Sequence, residues 1–375
     1  MSQTSPSLPG GIRPHRIDPR PLTVLVHRVG SMGDTLVAIP ALRLVAAAFP
    51  HARRVLLSNQ PVSSVAQPAA SVLDGLGLFH DTASYASPGG LTTARNIYRA
   101  VRALRPDVVV SISSRPDRLL AVRDAVVFRL AGATQLYGLD LQGRELRTLN
   151  ASTAMHEREA SRLARLLRRL GTVDWSDPSV WQIQPQAQDH AAADAAVPGW
   201  SNAGATLCMA VGTKCPANDW GQDRWLELVR HLARHLPDTR LACIGAPDDR
   251  ERSQQLLALW PGPVANFCGQ LAVRETAAVL SKCRLLVGHD SGPLHLAAAV
   301  DTKTVAIFSR RNPLGKWFPL GDNHHVIYSE VPCAGCGLVV CQLQANLCTR
   351  KITVEQVAEE ILRRIDRAGQ QRSIA

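Results

Sequence analysis

The chain has 375 residues, 46% hydrophobic and 19% charged, a composition that excludes a disordered polymer and a length that fits two domains better than one. No apolar run reaches the roughly 18 residues a membrane-spanning helix needs, and residues 1–20, rich in Pro, Ser and Arg, predict a disordered tail and no secretory signal. The net charge is +11, of which +9 lies in residues 1–180 (22 Arg, no Lys, 13 Asp+Glu), so the first half either suits an anionic partner or uses Arg for solubility alone.

Residues 22–26 form a β-branched apolar run, the pattern of a buried parallel strand. A Gly-containing loop follows, then helical apolar spacing over 35–49, interrupted by Pro40 and ended by Pro50. A second strand at 54–57 completes the opening of a doubly wound sheet. A helix at 92–104 and a strand at 107–112 repeat the unit. Residues 158–170 predict a basic helix with Arg158, Arg162, Arg165, Arg168 and Arg169, and Leu163, Leu166, Leu167 and Leu170 forming the opposing stripe. Between 174 and 204 the prolines 178, 185 and 198 suggest an interdomain connection with a short helix at 189–196. The pattern then restarts. Strands are expected at 206–211, 240–244, 285–287 and 304–308, alternating with helices at 223–235, 274–281 and 293–300. A last helix at 353–367 opens on Thr353 with Gln356 three residues on. The expectation is an α/β chain of two Rossmann-like domains facing a cleft, with ligands beyond the strand ends at helix N-termini.

Three loops carry candidate chemistry. In the first, Gly30-Ser31-Met32-Gly33-Asp34 follows the first strand. Its glycines allow close approach of backbone to a ligand. Asp34 can take a proton from a hydroxyl, or it can cap the next helix. The loop lacks the G-x-G-x-x-G fingerprint, which argues against an ordinary NAD enzyme. In the second, Gly288-His289-Asp290-Ser291-Gly292-Pro293-Leu294-His295 puts Pro293 in a first helical turn and offers free N–H groups to a diphosphate. Asp290 suits a sugar or ribose hydroxyl better than a phosphate. The other reading is a capped helix with a buried His295. A third loop, Gly212-Thr213-Lys214, offers either a phosphate contact or a solvated lysine.

Cysteine usage divides in two. Cys208, Cys215, Cys243, Cys268 and Cys283 are scattered and read as free thiols of a reducing compartment. Cys333, Cys336, Cys341 and Cys348 are clustered, and could hold structural zinc, form disulfides or stay free. Nucleic acid is a poor partner, because only 5% of residues are aromatic and the Arg-rich segment 158–170 has none.

Together these pieces resemble glycosyltransferase family 9, the lipopolysaccharide heptosyltransferases. The likeness is carried by R-x-G-S-M-G-D-T-L from Arg28 to Leu36, I-P-A-L-R from Ile39 to Arg43, Phe49-Pro50, and D-S-G-P-L-H-L-A-A-A from Asp290 to Ala299 followed by Val305 to Phe308. The resemblance implies a metal-independent, inverting GT-B enzyme using a nucleotide sugar, ADP-heptose in the best-known members. It implies an N-terminal acceptor domain (21–180), a linker (181–204), a C-terminal donor domain (205–352) and a terminal helix and tail (353–375). On it, Asp34 is the general base and Ser31 and Gly33 line the reaction centre. Asp290, Ser291, Gly292 and His295 hold the donor sugar and diphosphate, Thr213 and Lys214 contact the diphosphate, and Asp248 and Asp249 meet the ribose. The acceptor would be an anionic glycan or glycolipid, and the protein a cytoplasmic one, peripheral on the inner membrane. Two positions depart from the family pattern. Asn218-Asp219-Trp220 stands where a lysine commonly precedes the tryptophan, and Ser309 where a glycine usually follows the strand.

Overall fold

The computed structural model describes residues 9–15, 22–60, 68–114, 117–141, 146–200, 206–342 and 345–372. Contacts divide the chain into two units, Met1–Ala151 with His156–Trp181, and Ser152–Met155 with Gln182–Ala375.

The first unit carries a five-stranded parallel sheet of Thr23–Val29, Arg53–Asn59, Asp81–Tyr85, Val108–Ser113 and Gln135–Tyr137, in the spatial order third, second, first, fourth, fifth. Thr23–Val29 sits between its two neighbours, with Val24 opposite both Arg54 and Val108. Its middle residues are buried on both faces, as a parallel strand covered by helices requires. The helical stretch expected at 35–49 splits into Met32–Val37 and Ile39–Ala48, with Pro40 in the first turn of the second helix, where its missing N–H costs nothing. The expected tail at 1–20 is largely outside the described residues, but Ile12–Pro14 is a strand paired antiparallel with Gly171–Val173, so that part is held in place.

The Arg-rich helix differs from expectation. It spans Glu159–Leu166, and Leu167 to Leu170 form a turn. Its arginines are not a solvated row. Arg162 is 1% exposed and bound to the fully buried Glu159, while Arg165 pairs with Glu157. Burying a guanidinium is tolerable only when such a carboxylate compensates it.

The second unit repeats the topology. Thr206–Ala210, Arg240–Cys243, Val264–Asn266, Leu285–His289, Lys303–Ile307 and His324–Ile327 form a six-stranded parallel sheet in the order third, second, first, fourth, fifth, sixth. Trp220 and Trp225 are fully buried against it, their rings edge to face at 5.2 Å. Much of the expected linker is built into this unit. The helix Ala187–Ala196 packs on Val273–Ser281, where Arg274 meets Asp189 at 3.0 Å. The final helix, Val354–Arg372, starts with Thr353 and Gln356 exchanging backbone bonds and packs on Gln222–Ala233.

No disulfide joins any of the nine cysteines. Burial pushes the Cys243 thiol well up and that of Cys268 up to about 11, so neither is a ready nucleophile. No described helix is long and apolar enough to cross a membrane.

Candidate functional site

In the first unit, the strand Thr23–Val29 turns at Gly30 and enters the helix Met32–Val37. Gly30 has φ of 152°, and a Cβ there would lie 2.6 Å from the Asp34 Cβ, so only glycine fits. Ser31 and Asp34 close a capping box. The Ser31 N–H donates to Asp34 Oδ2 at 2.6 Å and the Asp34 N–H to Ser31 Oγ at 3.4 Å. Gly33 is buried under this turn, and Asp34 is half-exposed. The capping alternative is therefore realised. It engages one carboxylate oxygen, and a carboxylate has about four lone-pair sites.

Below the loop lies a buried charge cluster that sequence reading missed. Arg28 is fully buried and donates to the Ile112 carbonyl at 2.9 Å. Burial lowers its pKa, and the nearby charges of Asp34 and Glu159 oppose that shift. Burial also works against the Arg162 charge, but its hydrogen bonds to Glu159 at 2.7 and 3.0 Å and the charges around it prevail, leaving it more firmly protonated. A cavity of about 160 Å³ opens beside this cluster, lined by Val29, Tyr85, Ser111, Ser113, Asp140 and Arg162 among others. It sits at the C-terminal ends of strands on both sides of the point where the strand order reverses, the usual ligand position in such sheets. The Tyr85 hydroxyl meets His27 Nε2 at 2.7 Å, and burial holds His27 down to about 4.

In the second unit, three loops leave neighbouring strands at the same sheet edge. They follow Arg240–Cys243, Thr206–Ala210 and Leu285–His289. Ser291 is the N-cap of Gly292–Ala299, but its side chain makes no capping bond, and its buried Oγ has no hydrogen-bond partner among the described residues. This helix start is open, with Pro293 in its first turn. Asp290 is held from two sides. Asn218 Nδ2 donates to its carbonyl at 3.0 Å, and Asn312 Nδ2 lies 3.4 Å from Oδ2. Ser309 Oγ in turn donates to Asn218 Oδ1 at 2.5 Å. Ser309 and Asn218 thus meet in one chain of hydrogen bonds that ends on the Asp290 carbonyl. His295 is buried edge-on to Trp317. His289, fully buried, accepts the Trp220 N–H at 3.1 Å, and burial lowers its pKa to about 4.

Thr213 Oγ1 is engaged in its own turn, accepting from the Cys215 N–H at 3.2 Å, and Lys214 is exposed. The Asp249 carboxylate lies so close to Gly212 and Gly245 that a Cβ on either would collide with it, at 2.1 and 2.6 Å. Burial raises its pKa. Asn312 and His289 carried no sequence signal beyond adjacency to a strand end.

Hydrogen bonds to neighbouring segments hold the cysteine loop. Among the described residues no group of three or more His, Cys, Asp or Glu converges to hold an ion. Arg311 instead donates to the Leu338 and Gly337 carbonyls at 2.6 and 2.8 Å, and the Ala217 N–H donates to Val339 at 2.9 Å. The loop therefore braces the segment that carries Asn218.

The sequence pattern of glycosyltransferase family 9 (heptosyltransferase) matches residues 117–346, more than half of the chain. The chain belongs to this family. As a family 9 member it is 25% identical over 347 residues to lipopolysaccharide heptosyltransferase 1 of Escherichia coli O18:K1:H7, covering 90% of this chain and 98% of that one. It spans 30%, 31% and 39% of the length of the first curated relatives it matches. The fold is shared with the glycosyltransferase family 9 structure from Veillonella parvula (TM-score 0.70, 16% identity, 94% and 99% of the two chains). It is shared also with E. coli heptosyltransferase WaaC, solved with ADP (TM-score 0.58, 19% identity, 92% and 100%). Both likenesses make this family 9 chain a GT-B, α/β protein.

Proposed function

We propose that this protein is an inverting glycosyltransferase that moves a heptose from ADP-heptose to a lipopolysaccharide core or related surface glycan. The observation that carries this reading is the open helix start at Ser291-Gly292, next to Asp290, whose backbone carbonyl is held by Asn218 and whose carboxylate is held by Asn312. Unsatisfied N–H groups and the positive end of the helix suit a diphosphate, and the fixed carboxylate suits a sugar hydroxyl.

In the reaction, Asp34 takes the proton of the acceptor hydroxyl while that oxygen attacks the anomeric carbon from the face opposite the leaving group. The bond from that carbon to the diphosphate oxygen breaks, and ADP leaves with the electron pair. Negative charge grows on the diphosphate, where the free N–H groups at the start of the helix Gly292–Ala299 and the Lys214 ammonium stabilise it. The buried Arg28 keeps Asp34 beside a positive charge. Ser31 and Gly33 form the turn that aims Asp34, and Thr213 and His295 support the donor loops. The acceptor is an anionic glycolipid, and the protein attaches peripherally to the cytoplasmic face of the inner membrane. The Asn218–Ser309 pair favours a second reading, transfer from a different nucleotide sugar by the same chemistry.

Purified protein is screened with ADP-heptose and UDP-, GDP- and dTDP-sugars for binding and for transfer to a deacylated core glycan. ADP-heptose binding with transfer supports the main reading, and transfer from another donor alone supports the second. Binding without transfer means a nucleotide-sugar-binding protein, and no binding ends the proposal. Zinc content of wild type against Cys336→Ser tests a structural metal at Cys333, Cys336, Cys341 and Cys348.

A further inference from the structure

Six of the exposed large hydrophobic residues stand on two helices of the first unit that pack against each other, Gly90–Leu104 and Arg118–Leu130. Leu91 is 89% exposed, Leu119 81% and Leu130 69%, with Val122, Val126 and Tyr98 also exposed. Their spacing makes them a surface and not scattered singles. Leu119, Val122, Val126 and Leu130 follow steps of three, four and four, so they form one stripe along the outer face of their helix. The buried Phe128 marks its opposite, inner face. On the other helix, Leu91, Arg95, Tyr98 and Arg102 share one face, opposite the buried Thr93, Ile97 and Val101. The two faces meet: the Arg102 guanidinium lies beside Gly132, just past the end of the second helix.

The charge around this apolar stripe has one sign. Residues 90–130 carry eight Arg, three Asp and no Lys or Glu. Arg118 and Arg129 flank the stripe on one side and Arg123 on the other, by helical geometry. The one acidic residue within the two helices, Asp124, is turned inward and bound to Arg123 at 2.6 Å.

We propose that this face docks on an anionic lipid bilayer. An apolar stripe edged by arginines is the pattern of a helix lying in a bilayer interface, aliphatic side chains in the acyl boundary and guanidinium groups at the phosphates. A second copy of the chain is a poor occupant, because a two-fold contact would set Arg95, Arg102, Arg118 and Arg129 against like charges. The same two helices line the 160 Å³ cavity through Gly90, Thr93, Leu120 and Ala121. A bilayer on this face would present a lipid-anchored glycan at the cavity. The inference rests on the proposed peripheral attachment, gives it a surface, and adds shallow apolar burial to charge attraction.

The test uses full-length protein and flotation with vesicles of phosphatidylcholine alone or mixed with phosphatidylglycerol. Wild type is expected to bind the mixed vesicles and not the neutral ones. Leu119→Gln with Leu130→Gln, and separately Arg95→Glu with Arg102→Glu, should each weaken binding at least tenfold while transfer to a deacylated, water-soluble acceptor stays at the wild-type rate. Wild type that ignores mixed vesicles overturns peripheral attachment itself. Wild-type binding unchanged in both variants overturns this surface alone. A concentration-dependent dimer abolished by the leucine substitutions would assign the face to self-association and overturn the lipid proposal.

Discussion

The two units use the same strand–loop–helix element and finish it in opposite ways. In the first, Ser31 and Asp34 satisfy each other's backbone, so the helix start is closed by the chain's own carboxylate. In the second, Ser291 caps nothing and the helix start is left open. A closed start presents negative charge and has two of its donors taken by its own cap. An open one has donors and waits for an anion. On the proposed reading, one repeated topology serves as a proton acceptor in one half and a diphosphate seat in the other, and the side chains of a single turn decide which.

The largest expected effect breaks the first half of this contrast. Asp34→Asn keeps the shape of the turn but removes the base, and transfer should fall by about 10² to 10⁴ with little change in melting temperature. Wild-type turnover in that variant would reduce Asp34 to a cap. Next comes acid sensitivity, which the two units should share. His27 and His289 have folded pKa values near 4, below the ordinary 6.5. Below pH 6.5 the unfolded chain therefore binds protons that the folded chain refuses. Stability is flat above that pH and falls between 6.5 and about 4, by roughly 3 kcal/mol per histidine at most. Urea unfolding followed against pH should show this slope in wild type and a smaller one in His27→Gln.

The serines separate the halves most directly. Ser291→Ala removes a hydroxyl with no hydrogen-bond partner among the described residues, so stability should hold while nucleotide-sugar affinity drops about tenfold or more, as for a lost bond to a charged group. Calorimetric titration and thermal melts on the same sample read both. Ser31→Ala should do the reverse in kind and least in size, costing about 1 kcal/mol of stability through the lost cap, with donor affinity unchanged. Equal behaviour of the two variants would erase the contrast.

Much of the fold was legible because the central strands are continuous apolar runs and the helices between them have clear periods. The edge strands were not. Asp81–Tyr85 is largely exposed and Val264–Asn266 is only three residues long, so neither alternation nor a buried run marks them. The helix Arg118–Leu130 also escaped, because its apolar residues face both the core and the solvent and give no one-sided stripe. At the site, both loops stood out from glycine and acid placement. Whether Asp34 caps was undecidable without the turn's geometry. The burial of Arg162 was hidden as well: Glu159 three residues earlier reads as an ordinary surface pair until the sheet is seen to cover it.

The chain Ser309–Asn218–Asp290 has a historical consequence. Its first two members are 91 positions apart, yet each supplies what the other lacks. A lineage that gained the serine without the asparagine, or the reverse, would have buried a polar group without its partner, a handicap of about 1 to 3 kcal/mol. The two positions should therefore be inherited as a unit. Relatives should carry both or neither, and a swap of one residue into a relative should do worse than a swap of the pair.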